Sequence, residues 1–204
     1  MSRSSNSWLQ QQRRDPYVKL AHIQDYRSRA IYKLMEIDRQ DRLLRKGQTV
    51  VDLGAAPGGW SQYASEKVGE SGLVVALDIL PMDPIPGVVC LQGDFTDPAT
   101  VQRLLDVLSG RPVDLVISDI APNLSGIRTT DQARSMLLAE LTFEFSRGVL
   151  RPGGDLLIKL FQGEGADAYR KEIARHFTRT VIRKPDASRD KSREFYMLAR
   201  GYVV

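Results

Sequence analysis

Cysteine is almost missing from this chain of 204 residues: Cys90 stands alone, so no disulfide can close within it. Histidine is nearly as scarce. His22 and His176 lie far apart, and with one thiol they do not supply the four ligands of a structural zinc site. No uninterrupted apolar run approaches the ~18 residues that a membrane-spanning helix needs, so the expectation is a protein with no membrane association. No apolar signal segment follows Met1, which together with the lone cysteine points to a reducing, cytoplasmic setting. Internal repeats and low-complexity segments are also missing. Hydrophobic residues at 42 % and charged residues at 26 % are ordinary for a folded chain, which excludes wholesale disorder. A chain of this length buries roughly 70 % of its unfolded surface and needs no staple, and one domain is the default.

Charge is present but unevenly placed. The net charge is +4, yet residues 1–50 carry +6, residues 51–167 carry −8 and residues 168–204 carry +6. Solvated helix faces account for such runs in many proteins. The alternative is that the two basic ends meet in the fold and hold a polyanion, with RNA or DNA as the natural partner and salt-sensitive affinity. Residues 1–18 are polar, basic and non-periodic, and read as a mobile basic N-terminal arm. Trp8 and Tyr17 stand among Arg3, Arg13 and Arg14 there, a mixture that can grip phosphates and stack on bases, or simply fray. In the helix-like stretch that follows, Ile31, Leu34 and Met35 form an apolar stripe. Lys33 lies off it, toward solvent or toward a cleft.

From residue 49 the pattern alternates. Strands are predicted at Thr49–Leu53, Leu73–Ile79, Val88–Leu91, Val113–Ser118 and Leu156–Phe161. Helices are predicted between most of them, at Trp60–Val68, Pro98–Leu108 and Thr130–Val149. A helix near Ala166–His176 and two further strands, Thr178–Arg183 and Glu194–Tyr202, complete the chain. Short strands alternating with helices argue for βαβ units and a largely parallel sheet of about seven strands, with the last pair as an antiparallel hairpin at its end.

The first strand runs into Asp52-Leu53-Gly54-Ala55-Ala56-Pro57-Gly58-Gly59-Trp60. A glycine-rich turn here lies at the carboxyl edge of the sheet, where such folds bind ligands. It is not the dinucleotide fingerprint, because Ala56 and Pro57 stand where the second glycine would let backbone approach a pyrophosphate. Nor is it a P-loop, since no Gly-Lys-Ser/Thr follows. The ligand, if the turn holds one, lacks a diphosphate there. Asp78 ends the second strand about twenty residues after Gly58, placed to accept from ribose hydroxyls. Asp94 follows the third strand, within reach of an adenine amino group, and Asp119 follows the fourth. Any one of them alone reads more readily as a helix cap. Three carboxylates at successive strand ends suit a nucleoside that bears a positive charge.

The segments DLGAAPGGWSQ, ALDILPMDPI, GDF, SDIAPNLSG, LIKLFQG and SREFY, in this order from about Tyr26 to Tyr202, resemble the FtsJ-type bacterial ribosomal RNA large-subunit (23S) ribose 2′-O-methyltransferases. The resemblance implies an α/β, Rossmann-like S-adenosyl-L-methionine methyltransferase fold, a seven-stranded mostly parallel sheet with helices on both faces. Residues 19–204 then form a single methyltransferase domain. It implies a Lys-Asp-Lys-Glu tetrad that falls on Lys33, Asp119, Lys159 and Glu194. It carries the contacts to S-adenosyl-L-methionine onto Gly58, Trp60, Asp78, Asp94 and Asp119, with no metal. The implied substrate is a uridine ribose in the A-loop of large-subunit rRNA, methylated late on the assembled subunit by a cytoplasmic protein expected to act as a monomer.

A ribose hydroxyl is a weak nucleophile, so the chemistry asks for proton removal or for stabilisation of developing oxyanion charge. Lys159 interrupts an otherwise apolar strand at its carboxyl end and suits either role, a base if neutral and an oxyanion stabiliser if charged. Lys33 and Glu194 would orient it and the ribose, and Asp119 would help place the methyl donor. A tRNA or cap ribose methyltransferase is the nearest rival, with no added domain to favour it. A nucleotide-dependent oxidoreductase is opposed by Ala56 and Pro57. An inactive RNA-binding assembly factor is opposed by the intact tetrad.

Overall fold

The computed structural model describes residues 15–122, 125–189 and 192–203. Most of the expected arm, with Arg3, Trp8, Arg13 and Arg14, lies outside these residues, as does Asn123. The arm does not extend to residue 18. Asp15 caps helix α1 (Pro16–Ile23) by accepting from the Tyr17 N–H at 3.0 Å, Pro16 opens the helix, and Asp15 also pairs with Arg29 at 2.8 Å. Tyr17 packs on Tyr32, with the Arg29 guanidinium over its ring.

The chain continues through α2 (Ile31–Asp41), β1 (Thr49–Leu53), α3 (Gly59–Val68), β2 (Leu73–Asp78), β3 (Val88–Gln92), α4 (Pro98–Leu108), β4 (Val113–Ser118), α5 (Arg128–Val149), β5 (Leu150–Phe161), α6 (Ala166–Ala174), β6 (Phe177–Arg183) and β7 (Glu194–Tyr202). The strands form one sheet in the order β3-β2-β1-β4-β5-β7-β6. β1 through β5 pair in parallel, and β7 runs antiparallel between β5 and β6. Helices cover both faces. Val50, Val74, Leu115, Ile117, Leu157 and Leu198 point to one side, where Ile31, Leu34 and Ile37 of α2 and Trp60, Tyr63 and Ala64 of α3 meet them. Val51, Val75, Val116, Leu156, Ile158 and Met197 point to the other, against Leu104 of α4, Phe143 of α5 and Ile173 of α6. The period-two alternation of buried side chains makes two cores from one set of strands.

The outer strands follow the same rule. β7 is buried along nearly its whole length and takes the interior position, whereas β6 buries Phe177, leaves its other residues half-buried or exposed, and takes the edge. β5 begins six residues before its apolar run. The register against β4 shifts between Val113 and Leu115, so that Arg151-Pro152-Gly153-Gly154 bulges out and pairing resumes at Asp155. α5 starts at Arg128 because the Asp131 carboxylate reaches back to the Ser125 and Gly126 N–H groups and orders the preceding turn.

Candidate active site

β4 ends at Ser118, and Asp119 leaves the sheet there. On β5, Lys159 lies opposite Tyr196 of β7, and Phe161 opposite Glu194. Opposed antiparallel residues share a face, so Lys159, Glu194 and Tyr196 project to one side. That side is roofed by α2, which turns Lys33 inward among Ile31, Leu34 and Ile37 rather than out to solvent. The Lys33 ammonium meets the Glu194 carboxylate at 2.8 Å, donates to the Tyr196 hydroxyl at 2.9 Å and stands 3.7 Å from Asp119 Oδ1. Tyr196 donates to Asp119 Oδ1 at 2.5 Å. Lys159 reaches the same Oδ1 at 3.0 Å and donates to the Asp119 carbonyl at 2.5 Å.

The structure thus brings together Lys33, Asp119, Lys159 and Glu194. It adds Tyr196, which sequence reasoning did not single out although strand periodicity puts residues 194 and 196 on one face. Two cations and two anions neutralise one another, which is how four ionisable side chains tolerate a largely buried position. Burial alone would raise the Asp119 carboxyl. The ammonium groups of Lys159 and Lys33 and the Tyr196 hydroxyl outweigh it and hold Asp119 below the ordinary carboxylate value. Burial, then the charges of Asp119 and Glu194, push the Tyr196 hydroxyl well above its ordinary value, so it stays a proton donor.

The α2 roof is tied down from the far end of the chain. Arg183 makes a two-pronged pair with Asp41 at 2.7 and 2.8 Å, the Asp186 N–H donates to Glu36, and Arg29 donates to the Ala187 carbonyl. The two basic ends therefore meet beside the cluster.

The glycine turn lies along the same sheet edge. Gly54 adopts φ 72°, and a Cβ there would collide with the Ile120 side chain. Gly58 has φ 106°, and a Cβ would stand 2.5 Å from Ile85 Cδ1. Asp78 accepts from the Ala56 N–H at 2.9 Å with one oxygen and from the Leu80 N–H at 2.8 Å with the other, which locks the carboxylate between the turn and the β2 exit. Asp94 is exposed, and its Oδ1 accepts from the Thr96 N–H and hydroxyl. Arg27 straps the turn from outside, donating to the carbonyls of Asp83 at 2.7 Å and Pro84 at 2.6 Å. Trp60 is the second residue of α3. Its indole is 3 % exposed, donates to the Ala30 carbonyl at 2.8 Å and packs on Tyr196, so what Trp60 presents at the edge is its main-chain N–H in the first turn of α3.

Residues 26–202 match the model of the FtsJ-like methyltransferase family. The chain belongs to this family. It is 58 % identical over 198 residues to a ribosomal RNA large subunit methyltransferase E of Alkalilimnicola ehrlichii, covering 97 % of this chain and 95 % of that one. The protein of the same name from Pseudomonas aeruginosa is 56 % identical over 201 residues, covering 98 % and 97 % of the two chains. The crystal structure of a Plasmodium falciparum protein described as a ribosomal RNA methyltransferase superposes with a TM-score of 0.79 at 27 % identity, covering 87 % of this chain and 98 % of that one. FtsJ-like methyltransferases use S-adenosylmethionine as methyl donor. The residues present fit that group: a glycine turn without a diphosphate cradle, and the carboxylates of Asp78, Asp94 and Asp119 arrayed for a cationic nucleoside. Among the described residues no acidic, histidine or cysteine cluster could hold a metal ion, and no helix is long and apolar enough to cross a membrane.

Behind this edge sits Asp52, 1 % exposed, accepting from the Ser61 hydroxyl at 2.6 Å. Burial first, and then the charges of Asp119 and Asp78, raise its carboxyl to about 7 against the Ser61 hydrogen bond. A carboxyl whose folded value is raised stabilises the fold fully below its unfolded value near 4 and loses that contribution as pH climbs to about 7. The expected loss is roughly 4 kcal/mol, complete above neutrality. Asp52→Asn cannot ionise and should escape it. Urea unfolding at pH 5 and pH 8 should therefore show the variant gaining on the wild type at the higher pH, and parallel behaviour at both would show that Asp52 titrates normally.

Proposed function

We propose that this methyltransferase transfers a methyl group from S-adenosyl-L-methionine to the ribose 2′-oxygen of a uridine in 23S rRNA of the large ribosomal subunit, in the cytoplasm and as a monomer. The observation that carries the reading is the convergence of Lys33, Asp119, Lys159 and Glu194 on one sheet edge beside the glycine turn, within one chain. The names of the relatives support the substrate, and so do the two basic ends gathered beside the cluster.

When bound, the cofactor supplies an electrophilic methyl group on a sulfonium. Gly58, the Trp60 main chain, Asp78 and Asp94 are assigned to hold it, with Asp119 between donor and acceptor. Lys159 acts on the acceptor oxygen. Two of its hydrogens are taken by the Asp119 carbonyl and Oδ1, which fixes the amine and leaves one tetrahedral position for substrate. As a lone pair, that position removes the 2′-hydroxyl proton; as an N–H, it donates to the oxygen as negative charge develops. Lys33 spans Glu194 and Tyr196 and so keeps Asp119 in place. Phosphate contacts from the basic ends position the RNA, and the 2′-hydroxyl distinguishes it from DNA.

Mass mapping of rRNA ribose methylation in cells with and without this protein tests the reading. One uridine 2′-O-methyl group should vanish, and an unchanged map would reject it. Asp78→Ala should weaken cofactor binding about 10- to 100-fold by calorimetry, through loss of ribose acceptors and of the Ala56 anchor. Unaltered affinity would remove Asp78 from the site.

A further inference from the structure

A hollow opens between the first turns of α5 and the chain leaving β5. It encloses about 380 Å³, within the ~300–1,000 Å³ of small-ligand sites. Arg128, Gln132 and Met136 line it from α5, Gly163 and Glu164 from the β5 exit, and Arg193 from the residue before Glu194. Gly163 is what lets the two walls close: a Cβ there would stand 2.5 Å from the Gln132 amide. Gln132 donates to the Glu164 carbonyl at 3.3 Å, while its Oε1 is buried and has no partner among the described residues. Neither Arg128 nor Arg193 is in an ion pair among the described residues, so with Glu164 the lining carries a net positive charge.

We infer that this hollow seats an unpaired nucleobase of the substrate RNA, from the nucleotide flanking the one that is methylated. This rests on the RNA-methylating function proposed above. Gly163 of the lining follows Phe161 by two residues on the chain leaving β5, the Phe161 ring centre is 5.8 Å from the Lys159 ammonium, and Arg193 adjoins Glu194 in sequence. A strand whose ribose sits at Lys159 must place its neighbouring nucleotide close by. The lining suits a base: the Met136 thioether offers a soft apolar surface for a ring face, the orphan Gln132 oxygen accepts from a base N–H, and the two guanidinium groups take the adjoining phosphates. One net positive charge matches a phosphodiester better than a free dianion.

The test is steady-state methylation of large ribosomal subunits isolated without the mark, using variants outside the catalytic cluster. Met136→Trp fills the hollow without changing charge, and Gln132→Ala removes the acceptor. Each should raise KM for subunits about 10- to 100-fold while leaving kcat and cofactor affinity near wild type. Arg128→Glu should also weaken binding and flatten its salt dependence. Thermal unfolding of Gln132→Ala at the wild-type temperature establishes that its effect is not misfolding. Unchanged KM in both Met136→Trp and folded Gln132→Ala, whatever Arg128→Glu does, would overturn the base site while leaving the enzyme's function intact. A wild-type protein that methylates no ribose in these subunits would overturn both readings together.

Discussion

Lys159→Ala should lower kcat for methyl transfer by about 10²–10⁴-fold while cofactor affinity stays near wild type. The asymmetry follows from the geometry. Lys159 touches Asp119 and the acceptor side of the cluster, whereas the glycine turn, Asp78 and Asp94 are held by contacts of their own. On the proposed mechanism, removing the amine takes away the group assigned to act on the ribose oxygen. Asp119 keeps its hydrogen bond from Tyr196 and its approach to Lys33, so the fold should survive. Lys159→Met, which keeps the stem in its buried slot, controls for packing and should be as inactive as alanine. Single-turnover transfer and cofactor titration on the same samples decide the matter. Near-normal turnover in either variant would remove Lys159 from the chemistry, and a parallel collapse of cofactor binding would make it a scaffold residue instead.

Asp119→Asn should be costly in two ways. The carboxylate is the common partner of two ammonium groups and one hydroxyl, and without its charge Lys33 retains Glu194 while Lys159 retains only a carbonyl. Removing one member of a largely buried ionic cluster costs ~3–5 kcal/mol, and the partial exposure of Asp119 favours the lower end. Transfer should fall by at least as much as in Lys159→Ala, because the amine is no longer fixed. The acid dependence has the opposite sign to that of Asp52. Asp119 has a folded value held below its unfolded one, so its stabilisation is fully present above about pH 4 and disappears as pH falls through the folded value. Wild type and Asp119→Asn should differ by a constant amount at neutral pH and converge in strong acid. A stability gap that persisted unchanged into strong acid would mean the asparagine acts through shape rather than charge.

Much of this architecture was legible along the chain. Thr49–Leu53 and Val113–Ser118 are mostly apolar runs, each broken by one aspartate and bounded by turns, and Pro98–Leu108 begins with an Asp-Pro cap and follows a clear stripe, so each appears in the structure with the bounds its pattern predicts. The misjudged elements have local causes. β5 begins early because a bulge hides its first residues behind Pro152 and two glycines, and α1 starts inside the expected arm because one aspartate caps it. The burial of the Trp60 indole against Ala30 and Tyr196 had no signal along the chain, because both partners come from distant segments.

Composition and periodicity were enough to specify an alternating α/β chain, a glycine turn that refuses a diphosphate and aspartates at strand ends, whereas the tetrad was implied by the resemblance of the motifs to a known family. They are local properties, written in spacing and side-chain chemistry. The meeting of Lys33 with Glu194, and the recruitment of Tyr196 between Lys33 and Asp119, depended on β7 entering the sheet beside β5 and on α2 being pinned over it by Arg183 and Asp41. A strand can pair on either side of a hairpin partner without any change in its own pattern. The choice is made by which strand is better buried on both faces, a comparison that exists once the whole sheet is assembled.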